Sequence, residues 1–208
     1  EKSLCKSGNK LLIAISGGAD SVALFLCLKE LGYDIELAHC NFNLRGEESD
    51  NDEEFVKQLA DNFGVRLHLK SFDTEKYANG NKVSIQVAAR DLRYKWFNEL
   101  LVDNNLNYIA VGHHKNDDVE TFFINLTRGS GLKGLLGIQS KNNNVIRPLL
   151  CVSRLEIEAY LSAVKQSFRE DSSNKSVKYL RNKIRHELIP LLTEMNPSIQ
   201  ETISNEIE

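Results

Sequence analysis

No stretch of this sequence approaches the roughly 18 consecutive apolar residues that mark a membrane helix, so no membrane span is expected. The opening residues, Glu1-Lys2-Ser3-Leu4-Cys5, carry no apolar segment ahead of a small-residue cleavage site. A secretion signal is therefore not expected there, and Glu rather than Met at position 1 is what a trimmed chain would have. Cysteine is sparse and scattered. Cys5, Cys27, Cys40 and Cys151 form no C-x-x-C pair, which excludes a zinc ribbon or a disulfide framework and leaves reduced thiols and a cytoplasmic location as the expectation. Repeats and low-complexity tracts are absent. So is any excess of basic charge: 26 Lys and Arg stand against 29 Asp and Glu, a net charge of −3. A nucleic-acid binder of this composition needs a local basic face, and the charges are segregated. Residues 47–54 read EESDNDEE and residues 175–185 read KSVKYLRNKIR.

What is present is the composition of a folded domain, 41% hydrophobic and 26% charged over 208 residues. Lys10 to Ser16 is a short apolar run that predicts a buried parallel strand. Gly17-Gly18 follows, then a helical pattern through Val22, Phe25, Leu26 and Leu28. Ile35 to Cys40 predicts a second strand. A helix from Ser49 ends at Gly64, and Arg66 to Phe72 predicts a third strand. Residues 73–82 read as a polar loop before a long helix through Val87, Ala88, Leu92, Trp96 and Leu100. Tyr108 to Gly112 predicts a fourth strand. This alternation predicts an α/β fold, a Rossmann-like doubly wound parallel sheet with helices on both faces. Ligands in such sheets sit beyond the C-terminal strand ends, which points to 16–21, 39–46 and 112–120. Further on, residues 144–150 look strand-like, Ser153-x-x-Glu156 looks like a capping box, and a last helix is expected from about Val177 toward Leu192, bent or ended at Pro190.

Ser16-Gly17-Gly18-Ala19-Asp20-Ser21 joins the first strand to the first helix. Two glycines allow close backbone approach, and a helix start offers free N–H groups and a positive dipole end, which together make an anion site. The lysine of a G-x-x-x-x-G-K-[ST] loop is missing from the whole chain. The loop therefore suits a pyrophosphate held by N–H groups and a cation, with Asp20 as a Mg2+ ligand. From the residues alone, a plain strand–helix turn with Asp20 as an early helix acid stays open beside it. Asn41 is placed to bond a nucleotide and Arg45 to pair with phosphate, with a solvent-exposed loop arginine staying open for Arg45. Adjacent His113 and His114 point different ways and argue against zinc. Gly129-Ser130-Gly131-Leu132-Lys133-Gly134 matches G-x-G-x-x-G but follows a helix, so a dinucleotide site is rejected. On the last helix, Val177, Leu180, Ile184, Leu188 and Leu191 form an apolar stripe. Lys178, Arg181 and Arg185 form a basic ridge beside it, suited to RNA phosphates, with a plain solvated face open beside that reading.

S-G-G-x-D-S after a first strand resembles the signature of the PP-loop ATPases, which cleave ATP to AMP and pyrophosphate. Four further segments resemble the tRNA(Ile)-lysidine synthetases within that superfamily. They are His39 to Asp50 (with Phe42 where that family has His), Ala89 to Tyr94, Gly112 to Thr121, and Glu170 to Asn174 with Tyr179 to His186. Arg128 to Gly137 is similar to that family's glycine-rich stretch, and the whole resemblance covers about residues 11 to 190. It implies that Ser16, Gly17, Gly18, Ala19, Asp20, Ser21, His39, Asn41, Gly112 and His113 bind ATP. It also implies that Asp20 and Asp117 hold Mg2+, that Asp20, Arg93 and Asp117 serve catalysis, and that Arg45, His114, Lys178, Arg181, Asn182 and Arg185 meet tRNA. The implied reaction joins free lysine to C2 of the wobble cytidine of tRNA(Ile) through an adenylated intermediate, and the self-association allowed for is a homodimer. Residues 1–190 are expected to form the catalytic domain and 191–208 the start of a helical C-terminal region. The rival readings are a tRNA thiolase of the same fold, a small-molecule amide-forming synthetase and a non-catalytic nucleotide-binding module.

Overall fold

A computed structural model of the chain describes residues 4–131, 134–170 and 180–207. Its centre is strand β1 (Lys10–Ala14), whose Leu11, Leu12 and Ile13 are completely buried. Burying side chains of this size contributes about 1.5–3 kcal/mol each. The pleat sends them to opposite faces. Leu11 and Ile13 join one core cluster with α1 (Ala19–Glu30), α2 (Glu47–Phe63) and α6 (Arg154–Ala163). Leu12 joins Trp96, Phe97, Leu100 and Leu101 of α4 (Ile85–Asp103) in a second. Helices thus cover both faces, as the continuous apolar reading of β1 requires.

The sheet order is β3-β2-β1-β4-β6-β5. Strands β2 (Asp34–Asn41), β3 (Leu67–Ser71), β4 (Tyr108–Ala110) and β6 (Val145–Ile146) run parallel to their neighbours, with Leu11 opposite both Ile35 and Tyr108. Only β5 (Lys141–Asn142) is antiparallel, at the edge beside β6. The chain leaves β1 toward β2 and β3, then returns to the other side of β1 as β4. That reversal opens a crevice between the loops after β1 and β4, where ligands of such sheets bind. Among the described residues no helix is long and apolar enough to cross a membrane.

Three local expectations change. The loop expected at 73–82 is a helix, α3 (Thr74–Asn81), capped by the Asp73 side chain, which accepts from the Lys76 N–H at 3.0 Å. Its single buried face, Thr74 and Ala78, was too narrow to register as a periodicity. The strand expected at 144–150 shrinks to Val145–Ile146, because Pro148 cannot donate a ladder bond and instead opens a 3-10 turn over Pro148–Cys151. The expected start of the final helix at Val177 lies outside the described residues, and of the two outcomes expected at Pro190, a bend or an end, the end does not occur. The helix runs as α7 (Leu180–Lys183), a π turn over Ile184–Leu188 and α8 (Ile189–Met195), with Pro190 at the start of α8. A proline lacks the N–H that an α turn would need, and the wider π turn just before it accommodates the missing bond. Helix α9 (Ile199–Ile207) packs back on α5 (Lys115–Thr127).

Candidate active site

The loop after β1 is tied by its own hydroxyls. Ser21 Oγ donates to Gly18 O at 2.9 Å and accepts from the Ser16 N–H at 3.2 Å, while Ser16 Oγ accepts from the Gly18 N–H at 3.3 Å. Gly17 stands at φ +92°, a conformation that side-chain-bearing residues rarely adopt. Gly112, at the end of β4, comes so close that an added Cβ would lie 3.0 Å from the Asp20 carbonyl carbon and oxygen. The absence of a side chain at 112 therefore lets the loops after β1 and β4 touch.

That contact brings the two acidic motifs together. His114 is buried, and its Nε2 lies 3.7 Å from Asp20 Oδ1 and 3.5 Å from Asp117 Oδ2. Asp117 Oδ2 also accepts from the His114 N–H at 3.1 Å, closing the first turn of α5. Burial pushes the Asp20 carboxyl above the usual carboxylate range, opposed by His114 and Arg154 and reinforced by Asp117. Arg154, first residue of α6, donates from Nη1 to Asp20 Oδ1 at 2.7 Å.

These groups line a cavity of about 670 Å³ at the C-terminal edge of the sheet. Ser16, Gly18, Ala19, Asp20, Arg45, His114, Asp117, Arg181, Asn182 and Arg185, all expected from the sequence, are in its lining. Arg181 and Arg185 are partly exposed, at 40% and 33% of the side chain. They face α5, where Arg185 holds Glu120 through both carboxylate oxygens at 2.5 and 3.1 Å and Arg181 Nη2 donates to Thr121 Oγ1 at 3.0 Å. Lys178, Asp171 to Asn174 and Tyr179 lie outside the described residues, as do Leu132 and Lys133 of the glycine-rich stretch.

The other expected residues, Gly17, Ser21, His39, Asn41, Arg93, Gly112 and His113, are not in its lining. The His39 Nδ1–H donates to Ile15 O at 2.9 Å. Asn41 donates to Asp50 at 3.3 Å and Glu53 at 3.1 Å and accepts from the Asn43 N–H at 3.0 Å. Arg93 lies over the Phe42 ring at 5.2 Å. His113 is held in its neutral form by burial, its imidazole pushed down to about 4 with Asp117 opposing.

Eight lining residues were given no site role from the sequence, among them Asp52, Arg154, Arg169 and Gln200. Asp52 bonds Arg45 Nη2 at 2.9 Å and Arg169 Nε at 3.1 Å. It lay unseen in the acidic run 47–54. Arg154 and Arg169 carry no local pattern that separates them from surface arginines. Gln200, on α9, reaches Asn116 at 2.6 Å across 84 residues of chain.

The donor set fits Mg2+. That ion takes one or two carboxylates and leaves its other positions to water and phosphate oxygens, and Asp20 and Asp117 supply two that share one imidazole contact. Among the described residues no three His, Cys, Asp or Glu side chains gather into a metal-holding group, as zinc would need.

The PP-loop domain family matches residues 2–192 of the chain. A tRNA(Ile)-lysidine synthase from Bacteroides thetaiotaomicron is 51% identical over 195 residues, covering 94% of this chain and 46% of the relative. One from Porphyromonas gingivalis is 50% identical over 98% of this chain and 45% of the relative. The chain thus spans about half the length of these curated relatives. In fold it is similar to a U34-tRNA thiolase from Methanococcus maripaludis, with a TM-score of 0.78 at 17% identity over 100% of this chain and 74% of that one. An NH3-dependent NAD synthetase from Campylobacter jejuni gives 0.53 at 14% identity over 99% of this chain and 87% of that one.

Proposed function

The chain belongs to the PP-loop domain family, and on that premise we propose that it is the ATP-using part of an enzyme that makes lysidine on tRNA(Ile). The observation that carries the reading is the meeting, in one cavity, of the loop Ser16–Ser21, the turn His114–Asp117 and the arginines of α7 and the π turn. The two lysidine synthases at 50 and 51% identity support the choice of substrate.

In the proposed first step the O2 of the wobble cytidine attacks the α-phosphorus of ATP. An O2–P bond forms, the bond to the β-phosphate bridging oxygen breaks, and pyrophosphate leaves with that electron pair. In the second, the lysine amine adds to C2, the C2–O2 bond breaks, AMP leaves with the oxygen, and the amine gives up a proton. The N–H groups at the start of α1 and the Ser16 hydroxyl face the negative charge of the phosphates. Asp20 and Asp117 would hold Mg2+, whose contribution is to neutralise charge on the leaving pyrophosphate. His114 keeps both carboxylates turned to the same point. Arg45, Arg181, Asn182 and Arg185 take the tRNA side of the cavity.

The test is the mass of a transcribed tRNA(Ile) after incubation with the full-length enzyme, ATP and lysine. A gain equal to a lysine residue, with AMP and pyrophosphate in the supernatant, is expected. A product that gains sulfur, or none at all with ATP still consumed, would sink the assignment.

A further inference from the structure

A loop without lysine must find other cations for a departing pyrophosphate, whose charge exceeds that of one Mg2+. The cavity wall places two arginines against the loop. Arg154 reaches it from α6, with Nη1 on Asp20 Oδ1 and Nε on Glu158 Oε1, both at 2.7 Å. Its backbone is fixed as well: the N–H donates to Asn116 Oδ1 at 2.9 Å, and Asn116 Nδ2 donates to Gln200 at 2.6 Å. Arg169 approaches by its main chain, its N–H donating to Gly17 O at 2.9 Å in a bridge beside Gly18. Among the described residues its side chain spends only Nε, on Asp52 at 3.1 Å. Both side chains remain open to the cavity, at 36% and 42% exposure. Of the other lining arginines, Arg185 gives two nitrogens to buried Glu120 and Arg181 gives Nη2 to Thr121.

We propose that Arg154 and Arg169 grip the β- and γ-phosphates of ATP and hold the pyrophosphate as it leaves. The inference rests on the adenylation reading above and adds the residues that bind the leaving group. The pairing of Arg154 with Asp20 belongs to the ligand-free loop. When a cation takes Asp20, the Arg154 guanidinium, which lines the same cavity, can turn to phosphate oxygens. Arg169 keeps Asp52 through Nε and turns its two terminal nitrogens to phosphate, the forked geometry that arginine offers and lysine does not.

Equilibrium binding of Mg–pyrophosphate, ATP and AMP to the full-length protein tests this. Arg154→Ala and Arg169→Ala should each weaken pyrophosphate and ATP binding roughly tenfold or more. AMP, which lacks both outer phosphates, should bind unchanged and so reports that each variant is folded. Arg154→Lys, which keeps the charge but loses the fork, should regain part of the loss; if Arg154→Ala fails to fold, this variant carries the comparison. Wild-type pyrophosphate affinity in folded variants would overturn the grip and leave adenylation standing. A wild-type protein that binds AMP but neither ATP nor pyrophosphate would overturn adenylation and the grip together.

Discussion

Arg185 and Glu120 form a two-pronged ion pair, Nε to Oε1 at 2.5 Å and Nη2 to Oε2 at 3.1 Å, with the carboxylate only 1% exposed. The pair ties the π turn after α7 to α5 and so sets one wall of the cavity. Burial pushes the Glu120 carboxyl above its usual range, against the pull of Arg185. Removing one partner of such a pair strands the other. Arg185→Ala should cost roughly 2–4 kcal/mol in urea unfolding. Adding Glu120→Gln to it should restore much of the loss. Additive losses in the double variant would show that the pair is not coupled.

Asp20→Asn separates chemistry from stability. If Asp20 holds Mg2+, ATP–pyrophosphate exchange should fall on the order of 100-fold, about 3 kcal/mol in the barrier. Its burial already disfavours the ionised carboxyl, so the ligand-free variant should melt no lower than wild type. Exchange at the wild-type rate would refute the metal role.

Gly112→Ala tests the contact between the two loops. The new Cβ would meet the Asp20 carbonyl at 3.0 Å and the Ser21 nitrogen at 3.1 Å. Overpacking of this kind costs about 1–3 kcal/mol, and the strain falls on the phosphate loop. ATP affinity should drop further than the melting temperature suggests. An alanine variant with normal ATP affinity would mean the close approach is not needed.

Two histidines should make the fold acid-sensitive. Burial lowers both His39 and His113, the latter to about 4. Unfolded imidazoles titrate near 6.5, so below that pH the unfolded chain binds protons that the folded chain refuses. The neutral histidines therefore stabilise the fold fully above about pH 6.5, and that stability is lost as pH falls toward the folded values. Urea midpoints measured from pH 7 to 4.5 should decline less steeply in His39→Gln and His113→Asn than in wild type. Equal slopes would contradict it.

Sulfur transfer through a cysteine is not expected. Burial pushes the Cys40 thiol up to about 12, with Arg93 opposing, which keeps it a neutral thiol at pH 7. Among the described residues none of the four cysteines is in a disulfide, and only Cys151 is exposed. Replacing all four by Ser or Ala should leave lysine transfer in place, apart from packing losses at Cys27 and Cys40. Loss of activity in Cys40→Ser alone, with sulfur in the wild-type product, would favour thiolation.

The sequence by itself determined the parts whose signal is local. An apolar run followed by Gly17-Gly18 could only be a buried strand entering a tight turn, and the missing lysine already excluded one kind of phosphate loop. Alternating strands and helices fixed a sheet covered on both faces, and so placed the ligand edge at the loops holding Asp20 and Asp117. The tertiary structure decided which side chains meet across that edge. Helix α6 and the segment at Arg169 bring two arginines to the loop from 134 and 149 residues beyond Asp20. Conversely, His39 and Asn41 sit at the right edge in sequence, yet their polar atoms bind neighbouring backbone and carboxylates. Arg181 and Arg185 read as a basic ridge because helical periodicity gives a side chain's angle about its own axis. It does not say whether that direction leads to water or, as here, to a buried carboxylate on another helix.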